Sequence, residues 1–341
     1  MFKSKTVFII GAGASEEAGL PIGSELTDVI ADLLRLHIDY GQSYPNKGDV
    51  QIYTVLKSLV QNDDSWRGNA FIATAHSTAD AMDIAPSIDT FLETHASNRE
   101  IVLLGKLGIA RAIILAEQNS KLAPRQQGKP FEMKQLGPTW YVSLARQLFT
   151  GIPVESPEKA FENVSFIVFN YDRCLQTFLA HALSRNFLIS MDKAVEILSG
   201  VTIVHPYGSL GSYFPRQPDH LPFASEAADL LQIAERIKTY SESVEDPAII
   251  DAMRKALDEA DTAVFLGFAF HEQNMNLLNA GSYVLKDRRT YATAYKVSPP
   301  DCEVIKSQIS ILFGEAPNNR TELCSGKCRD LFSMYWRSLT A

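Results

Sequence analysis

The segment KTVFIIGAGAS, residues 5–15, joins a short apolar run to a loop that contains two glycines. Residues 5–10 are mostly β-branched and aromatic and stop at a glycine, which is typical of a buried strand. Apolar residues then recur at helical spacing from Ser24 onward, and Ser24 itself stands where an N-cap is needed. The segment therefore predicts a strand, a loop and a helix in succession.

The composition is that of a soluble globular protein: of 341 residues, 46% are hydrophobic and 21% are charged. The formal net charge of −8 does not favour direct binding to nucleic acid, because phosphates attract clusters of lysine and arginine. The first residues lack the long apolar region of a signal peptide, and no stretch approaches the roughly 18 apolar residues of a membrane helix. We therefore expect a cytoplasmic protein with no membrane contact.

The four cysteines, Cys174, Cys302, Cys324 and Cys328, are too few for a disulfide scaffold of this size. The C-x3-C spacing of Cys324 and Cys328 could supply half of a zinc site, but no second Cys or His pair follows it. Because a zinc site needs three or four ligands, two thiols on one helical turn are the better interpretation, and we predict no bound metal.

Beyond the first strand and helix, the periodicity of the chain changes twice. Strand signals nearly vanish between residues 37 and 159, which we interpret as a helical insertion. Its helical stretches are 50–61, 67–82, 87–97, 99–119 and 138–149. Strand-like runs then return at 164–169, 201–204, 262–266 and 290–295.

Helical periodicity follows each of these later strands, and this alternation implies an α/β fold with a doubly wound parallel sheet. The helices are expected at 172–185, 224–239, 246–260, 272–280, 300–313 and 320–338. We predict a core formed by residues 1–36 and 160–315, with the helical insertion at 37–159 and a C-terminal helix in 316–341.

The loop GAGAS, residues 11–15, follows the first strand directly. Glycines here let the backbone approach a phosphate, although tight turns after strands also use glycine for conformational reasons alone. The loop is not a dehydrogenase fingerprint, because Glu16 stands where the third glycine would fall. Asp32 has the spacing of the ribose-binding acid, but it lies inside a predicted helix.

Three further turns also follow predicted strands. Asn170 and Asp172 come after VSFIVF, and two polar groups beside so apolar a strand indicate more than helix capping. His205 follows VTIV and precedes a glycine turn, which favours a functional role over the structural role usual for a lone histidine. GFAFH at 267–271 is either a close ligand contact or an ordinary turn. All four turns should meet at one edge of the sheet, where α/β proteins bind ligands.

Taken in order, GAGASEEAGLP, FNYD and HPYGSLG, with the late strand and VFLGFAF, resemble the sirtuin-like (SIR2-like) NAD-binding domain. The closer resemblance is to the branch found in bacterial anti-phage defence proteins, and SIDTFLE at 87–93 is similar to the helical insertion of that branch. The resemblance covers most of residues 5–300. It implies a Rossmann-type sheet with a second small module and NAD bound in an extended cleft.

The resemblance also implies roles for particular residues. Asn170 matches the catalytic asparagine of the family's Asn-x-Asp motif, and Asp172 matches its acidic partner. The residues that would bind NAD are Gly11, Ala12, Gly13, Ala14 and Ser15 at the pyrophosphate, Gly208 and Ser209 after the histidine position, and Gly267 with Phe268 at the adenosine end.

Two departures from the family pattern matter. The chain has no C-x-x-C pair, whereas the deacetylases carry a zinc ribbon built from two. The usual His-Gly-Ser reads Tyr207-Gly208-Ser209, and the histidine lies two positions earlier, at His205. One possibility is that His205 takes the catalytic role, because residues two apart in a strand face the same side. The alternatives are that Tyr207 fills the role weakly or that catalysis is impaired.

The resemblance therefore implies an NAD+ glycohydrolase in which Asn170 orients a water and the ribose, while His205 contacts a ribose hydroxyl or acts as general base. One alternative is a regulatory module that binds NAD or ADP-ribose without turnover. Another is an NAD-dependent deacylase or ADP-ribosyltransferase. As a defence effector the chain would form a homo-oligomer and work beside a partner ATPase or helicase, or beside a nucleic-acid-guided protein.

Overall fold

A parallel β-sheet forms the centre of the protein in a computed structural model, which describes residues 1–60, 65–125, 130–226, 229–279, 286–314 and 319–341. The strands of this described part are β1 (Thr6–Ile10), β2 (Val164–Val168), β3 (Ile203–Val204), β4 (Thr262–Leu266), β5 (Arg289–Thr293) and β6 (Arg320–Cys324). Their order across the sheet is β3-β2-β1-β4-β5-β6, and every neighbouring pair is parallel. The predicted α/β fold with a doubly wound, Rossmann-like sheet is confirmed.

The direction of winding reverses between β1 and β4. Thr6 at the start of β1 lies opposite Val164 of β2 on one side and opposite Thr262 of β4 on the other. The chain thus builds one half of the sheet outward from β1 and then returns to build the other half from β4. In open α/β sheets the crevice at this reversal, beyond the carboxyl ends of the strands, is where ligands bind.

Strands β1 and β4 are buried along their whole length, as expected for a parallel sheet covered on both faces. Alternate residues of β1 enter two different hydrophobic clusters, since successive side chains of a strand point to opposite faces. Val7 and Ile9 pack in one cluster, and Phe8 and Ile10 pack in the other.

Most helices between β1 and β2 belong to the predicted insertion. They are α1 (Ala12–Ser15), α2 (Gly23–Leu34), α3 (Val50–Val60), α4 (Ser65–Met82), α5 (Ile88–Thr94), α6 (Arg99–Asn119), α7 (Met133–Leu136) and α8 (Trp140–Phe149), with 3-10 turns at Glu16–Ala18 and Pro157–Phe161. Helices α3 to α6 pack in the cluster that contains Val7, whereas α8 packs in the cluster that contains Phe8. The insertion therefore covers both faces of the sheet.

The helices after β2 complete the two layers. They are α9 (Cys174–Phe187), α10 (Met191–Ser199), α11 (Leu230–Glu235), α12 (Tyr240–Val244), α13 (Pro247–Glu259), α14 (Glu272–Leu278), α15 (Pro299–Phe313) and α16 (Cys328–Met334), with a 3-10 turn at Ser338–Thr340. Among the described residues, no helix is long and apolar enough to cross a membrane.

The expectation of one continuous helix over 320–338 is wrong. Arg320–Cys324 forms the edge strand β6, and helix α16 begins only at Cys328. Glu322 in RTELC disfavours a strand, but pairing with β5 along all five residues outweighs this propensity. The Asp330 side chain accepts a hydrogen bond from the Lys327 backbone and starts the helix there.

Helix α10 was not predicted, and only Leu230–Glu235 of the expected helix 224–239 is an α-helix in the described residues.

A fully buried ion pair fastens the insertion to the turn after β2. Glu117 of α6 accepts hydrogen bonds from the Arg173 backbone at 3.0 Å and from its Nη2 at 2.6 Å, and each side chain is only 1% exposed. Glu117 also accepts from the Ala224 backbone, while Arg173 donates to the Leu221 carbonyl. The pair therefore joins helix α6, the start of α9 and the long loop before α11.

We expect Glu117→Ala to reduce the free energy of unfolding by about 3–5 kcal/mol, because it leaves the Arg173 guanidinium buried without a counter-charge. Chemical denaturation with the far-ultraviolet circular dichroism signal measures this change. The control is Glu196→Ala, which removes an exposed partner of Lys193 and should cost no more than about 0.5 kcal/mol. Equal costs for the two variants would contradict the structural role of the Glu117 pair.

Candidate functional site

A cavity of about 760 Å³ opens beyond the carboxyl ends of the strands, at the point where the winding reverses. The turns that follow all six strands contribute to its wall. The sequence-predicted residues that line it are Gly11, Ala12, Gly13, Ser15, Asn170, Asp172, Tyr207, Gly267 and Phe268. Ala14, His205, Gly208 and Ser209 do not line it.

The loops after β1 and β4 touch through their backbones. The Gly11 N–H donates to the Leu266 carbonyl at 2.9 Å, and the Gly13 N–H donates to the Gly267 carbonyl at 3.0 Å. Gly267 has a φ of +55°, and a Cβ at this position would lie 2.1 Å from the Ala14 nitrogen. Glycine is therefore required here for conformation as well as for space. The N–H groups of Gly11 and Gly13 are used within the fold, so a phosphate would need other donors of this loop.

Three polar side chains form a connected network on the floor of the cavity. The Asn170 amide nitrogen donates to the Gly11 carbonyl at 3.0 Å and to the Ser15 hydroxyl at 2.9 Å. Ser15 in turn donates to Asp172 Oδ2 at 2.8 Å, and Asp172 Oδ1 accepts from the Cys174 backbone at the start of α9. Asp172 thus caps a helix, as its position allowed, and also orients Ser15.

This network fixes which end of the Asn170 amide is free. The Gly11 carbonyl can only accept, so the Asn170 nitrogen must face it and the side-chain oxygen points the other way. Within the described residues, no group donates a hydrogen bond to that oxygen. Because Asn170 lines the cavity, its oxygen is available to a ligand hydroxyl or a water.

His205 lies behind Asn170 rather than in the cavity. Its Nδ1 is 3.1 Å from the Asn170 carbonyl oxygen, and its Nε2 is 2.6 Å from Nε2 of Gln176. Burial lowers the pKa of His205, so the ring is neutral, with Nδ1 donating to Asn170 and Nε2 accepting from Gln176. The structure therefore gives His205 a supporting contact with the Asn170 backbone and does not bring it to the cavity wall.

Tyr207 lies in the cavity wall. Its hydroxyl donates to Asn274 Oδ1 at 2.7 Å, and its ring meets the edge of Phe169 with centroids 5.7 Å apart. Burial raises the pKa of Tyr207, so the phenol keeps its proton at neutral pH. It can donate a hydrogen bond, but it cannot act as a base.

The remaining predicted residues have structural surroundings. Gly208 has a φ of +73°, and a Cβ there would lie 2.1 Å from the Arg236 carbonyl oxygen. The Ser209 hydroxyl is 3.2 Å from the Gly211 carbonyl, within its own turn. Ala14 is buried, and its carbonyl accepts a hydrogen bond from the Trp140 indole at 2.7 Å.

Two features of the wall were missed by sequence reasoning. Asp89, from α5 of the insertion, accepts a 2.5 Å hydrogen bond from the Tyr171 hydroxyl, and both residues line the cavity. Its segment, SIDTFLE, entered the sequence analysis only through the resemblance, and no motif in the neighbouring sequence indicates a functional role for Asp89. Lys327 also lines the cavity and pairs with Glu16 at 2.8 Å. The expectation of a single helix over 320–338 gave no reason to place Lys327 in a loop beside the site.

Apolar rings form the part of the wall between these polar groups. Phe268 packs against Phe169 and Phe270, with a centroid distance of 5.1 Å in each case.

Among the described residues, no group of three or more His, Cys, Asp and Glu side chains is placed to hold a metal ion. Cys324 and Cys328 are both free and buried, at the end of β6 and the start of α16.

Comparison with known proteins adds no relative to this picture: no protein-family model matches the chain, and no curated protein matches it. The functional argument therefore depends on the fold, the cavity and the chemistry of its wall.

The contact between the two glycine turns can be tested with Gly267→Ala, which should destabilise the protein by about 2–4 kcal/mol through a backbone clash added to an unfavourable φ. Gly151→Ala is the matched control, since Gly151 also has a positive φ but a Cβ there would meet nothing within 4 Å. It should cost only about 1 kcal/mol. Thermal unfolding followed by calorimetry gives both values, and a cost at Gly267 no larger than at Gly151 would argue against the close approach.

Proposed function

We propose that this protein is an NAD+ glycohydrolase, which cleaves NAD to nicotinamide and ADP-ribose. The observation that carries the proposal is the Asn170–Ser15–Asp172 network, because it presents a fixed amide oxygen to a cavity at the reversal point of the sheet. The ordered resemblance of FNYD and the glycine loop to the sirtuin-like NAD-binding domain supports the same reaction.

The dimensions and composition of the cavity suit a dinucleotide. Its volume of about 760 Å³ falls in the range of roughly 300–1,000 Å³ usual for small-molecule sites. Its wall combines the apolar rings around Phe268 with a few convergent polar groups, the arrangement that fixes the orientation of a ligand. The turn carrying Gly11 would lie at the pyrophosphate, and the turn carrying Gly267 and Phe268 at the adenosine end.

The proposed chemistry breaks the bond between nicotinamide and ribose. Its transition state resembles an oxocarbenium ion, so the site must orient an attacking water and favour positive charge. The Asn170 oxygen would accept hydrogen bonds from the ribose hydroxyl and the water. Ser15 and Asp172 would hold that amide in place through the 2.9 Å and 2.8 Å hydrogen bonds already formed.

One observation favours a second candidate, a module that binds NAD or ADP-ribose without turnover. Tyr207 stands at the family's histidine position and keeps its proton, since burial raises its pKa. If no other residue supplied a base, the site would bind the dinucleotide and hydrolyse it poorly.

A wider cellular role is part of the proposal and rests on the resemblance alone. A chain of the defence branch would act as a cytoplasmic anti-phage effector. Because uncontrolled loss of NAD would harm its own cell, it would work as a homo-oligomer under the control of a partner ATPase, helicase or nucleic-acid-guided protein. NAD itself would be the substrate, with no metal required.

Asn170→Ala should lower the rate of NAD+ loss by at least about 100-fold, because the variant cannot orient the ribose and the water. Nicotinamide release by the purified protein, followed by liquid chromatography, measures this rate. Asn119→Ala, which changes an exposed asparagine of α6, should leave the rate unchanged. A thermal melt of each variant checks that the fold is retained.

Binding of NAD+ by the wild-type protein without release of nicotinamide would favour the module that binds without turnover. An Asn170→Ala protein as active as the wild type would refute the proposed role of Asn170.

A further inference from the structure

A second polar cluster lies in the same cavity, and it includes Tyr171, the residue that follows Asn170 in the chain. The Tyr171 hydroxyl donates to Asp89 Oδ1 at 2.5 Å, and the Tyr207 hydroxyl donates to Asn274 Oδ1 at 2.7 Å. Both pairs line the cavity wall. In the reaction proposed above, the Asp89–Tyr171 pair has no role.

The other carboxylates of the cavity wall already have partners. Glu16 forms an ion pair with Lys327, and Glu25 accepts a hydrogen bond from the Ile22 backbone at the start of α2. Asp172 accepts a hydrogen bond on each of its oxygens, from Ser15 and from the Cys174 backbone.

Asp89 differs from Glu16, which is ion-paired, from Asp172, which accepts a hydrogen bond on each oxygen, and from Glu25, which is exposed whereas Asp89 is partly buried. Its one hydrogen bond from another described side chain comes from Tyr171, and no described lysine or arginine forms an ion pair with it. This leaves Asp89 able to bind a further proton donor, such as a water.

The surroundings of Asp89 make its carboxylate a stronger base than usual. Burial raises its pKa, while the hydrogen bond from Tyr171 and the nearby His271 act in the opposite direction. Among the described residues, the titratable groups that act on Asp89 and the two tyrosines are Tyr171, Tyr207, Tyr240, His271, Glu93 and Glu242. A carboxylate with a raised pKa in a ligand cavity is suited to act as a general base.

We propose that Asp89 is the general base of the NAD cleavage, taking a proton from the water that Asn170 orients. This assignment rests on the proposed function. The choice of Asp89 over His205 and Tyr207 rests on their surroundings: His205 is bonded to the Asn170 backbone and Gln176 outside the cavity, and Tyr207 keeps its proton.

The step balances without any further reactant. The bond between C1 of the ribose and the nicotinamide nitrogen breaks, and its electron pair neutralises the positive charge of the pyridinium. The water oxygen forms a bond to the same carbon, and its proton passes to the Asp89 carboxylate. Release of that proton to solvent restores the base, giving ADP-ribose, nicotinamide and one proton.

Tyr171 acts as a positioning residue in this scheme. It lies between Asn170 and Asp172 in the chain, and its hydroxyl reaches the insertion at Asp89. The hydrogen bond orients the carboxylate and lowers its pKa. Loss of the tyrosine hydroxyl should therefore raise that pKa further.

The test compares Asp89→Asn, Tyr171→Phe and the control Asp251→Asn, an exposed aspartate of α13. We expect Asp89→Asn to lower kcat for NAD+ by about 10²–10⁴-fold while NAD+ still raises the melting temperature of the variant. In the wild type, kcat should fall as the pH drops through the pKa of Asp89. Tyr171→Phe should move this acid limb to higher pH, and Asp251→Asn should change neither quantity.

Failure of the Asp89 assignment can be distinguished from failure of the proposed function. If the wild type releases nicotinamide and Asp89→Asn keeps kcat within about threefold, Asp89 is not the base, while the glycohydrolase function stands. A Tyr171→Phe variant that loses stability without moving the acid limb would make the Asp89–Tyr171 contact structural and would overturn the assignment. If the wild type binds NAD+ but releases no nicotinamide, both proposals fail.

Discussion

The close approach of two backbone turns, after β1 and after β4, is the constraint on which the site depends. The two strands pair in register from Thr6 and Thr262, so their carboxyl ends deliver Gly11 and Gly267 to the same point. A side chain at either position would collide with the backbone of the other turn. Both turns line the cavity, and the Gly11 carbonyl accepts the hydrogen bond from Asn170 of the turn after β2.

The polar chemistry of the cavity is built outward from that contact. Asn170 takes its orientation from the Gly11 carbonyl and from Ser15, so a shift of the glycine turn would release the amide. The next residues of the same turn connect to the insertion, since Tyr171 donates to Asp89 and Arg173 pairs with Glu117. Four consecutive residues, 170–173, thus link the sheet to the helices that cover it.

The sequence was informative where one local pattern governs the structure. Buried strands rich in Val, Ile and Phe revealed β1, β2 and β4, and parallel topology then placed Asn170 and Gly267 at a common edge. It failed where distant contacts decide. RTELC becomes a strand only by pairing with β5, and Asp89 meets Tyr171 through packing between residues 82 positions apart. The alternation that put His205 and Tyr207 on one side does not apply, because β3 ends at Val204 and the chain turns immediately afterwards.

That early end of β3 also bears on where the base of the proposed reaction comes from. His205 points back to Asn170 and Gln176, and Tyr207 fills the wall with a phenol that burial keeps protonated. In the proposed reaction, neither of these two residues supplies the base. The insertion brings the carboxylate of Asp89 to the same wall, and the burial that comes with its packing raises the pKa of that group. In the proposed reaction the sheet supplies orientation and the insertion supplies the base, with the Tyr171 hydroxyl as the hydrogen bond between them.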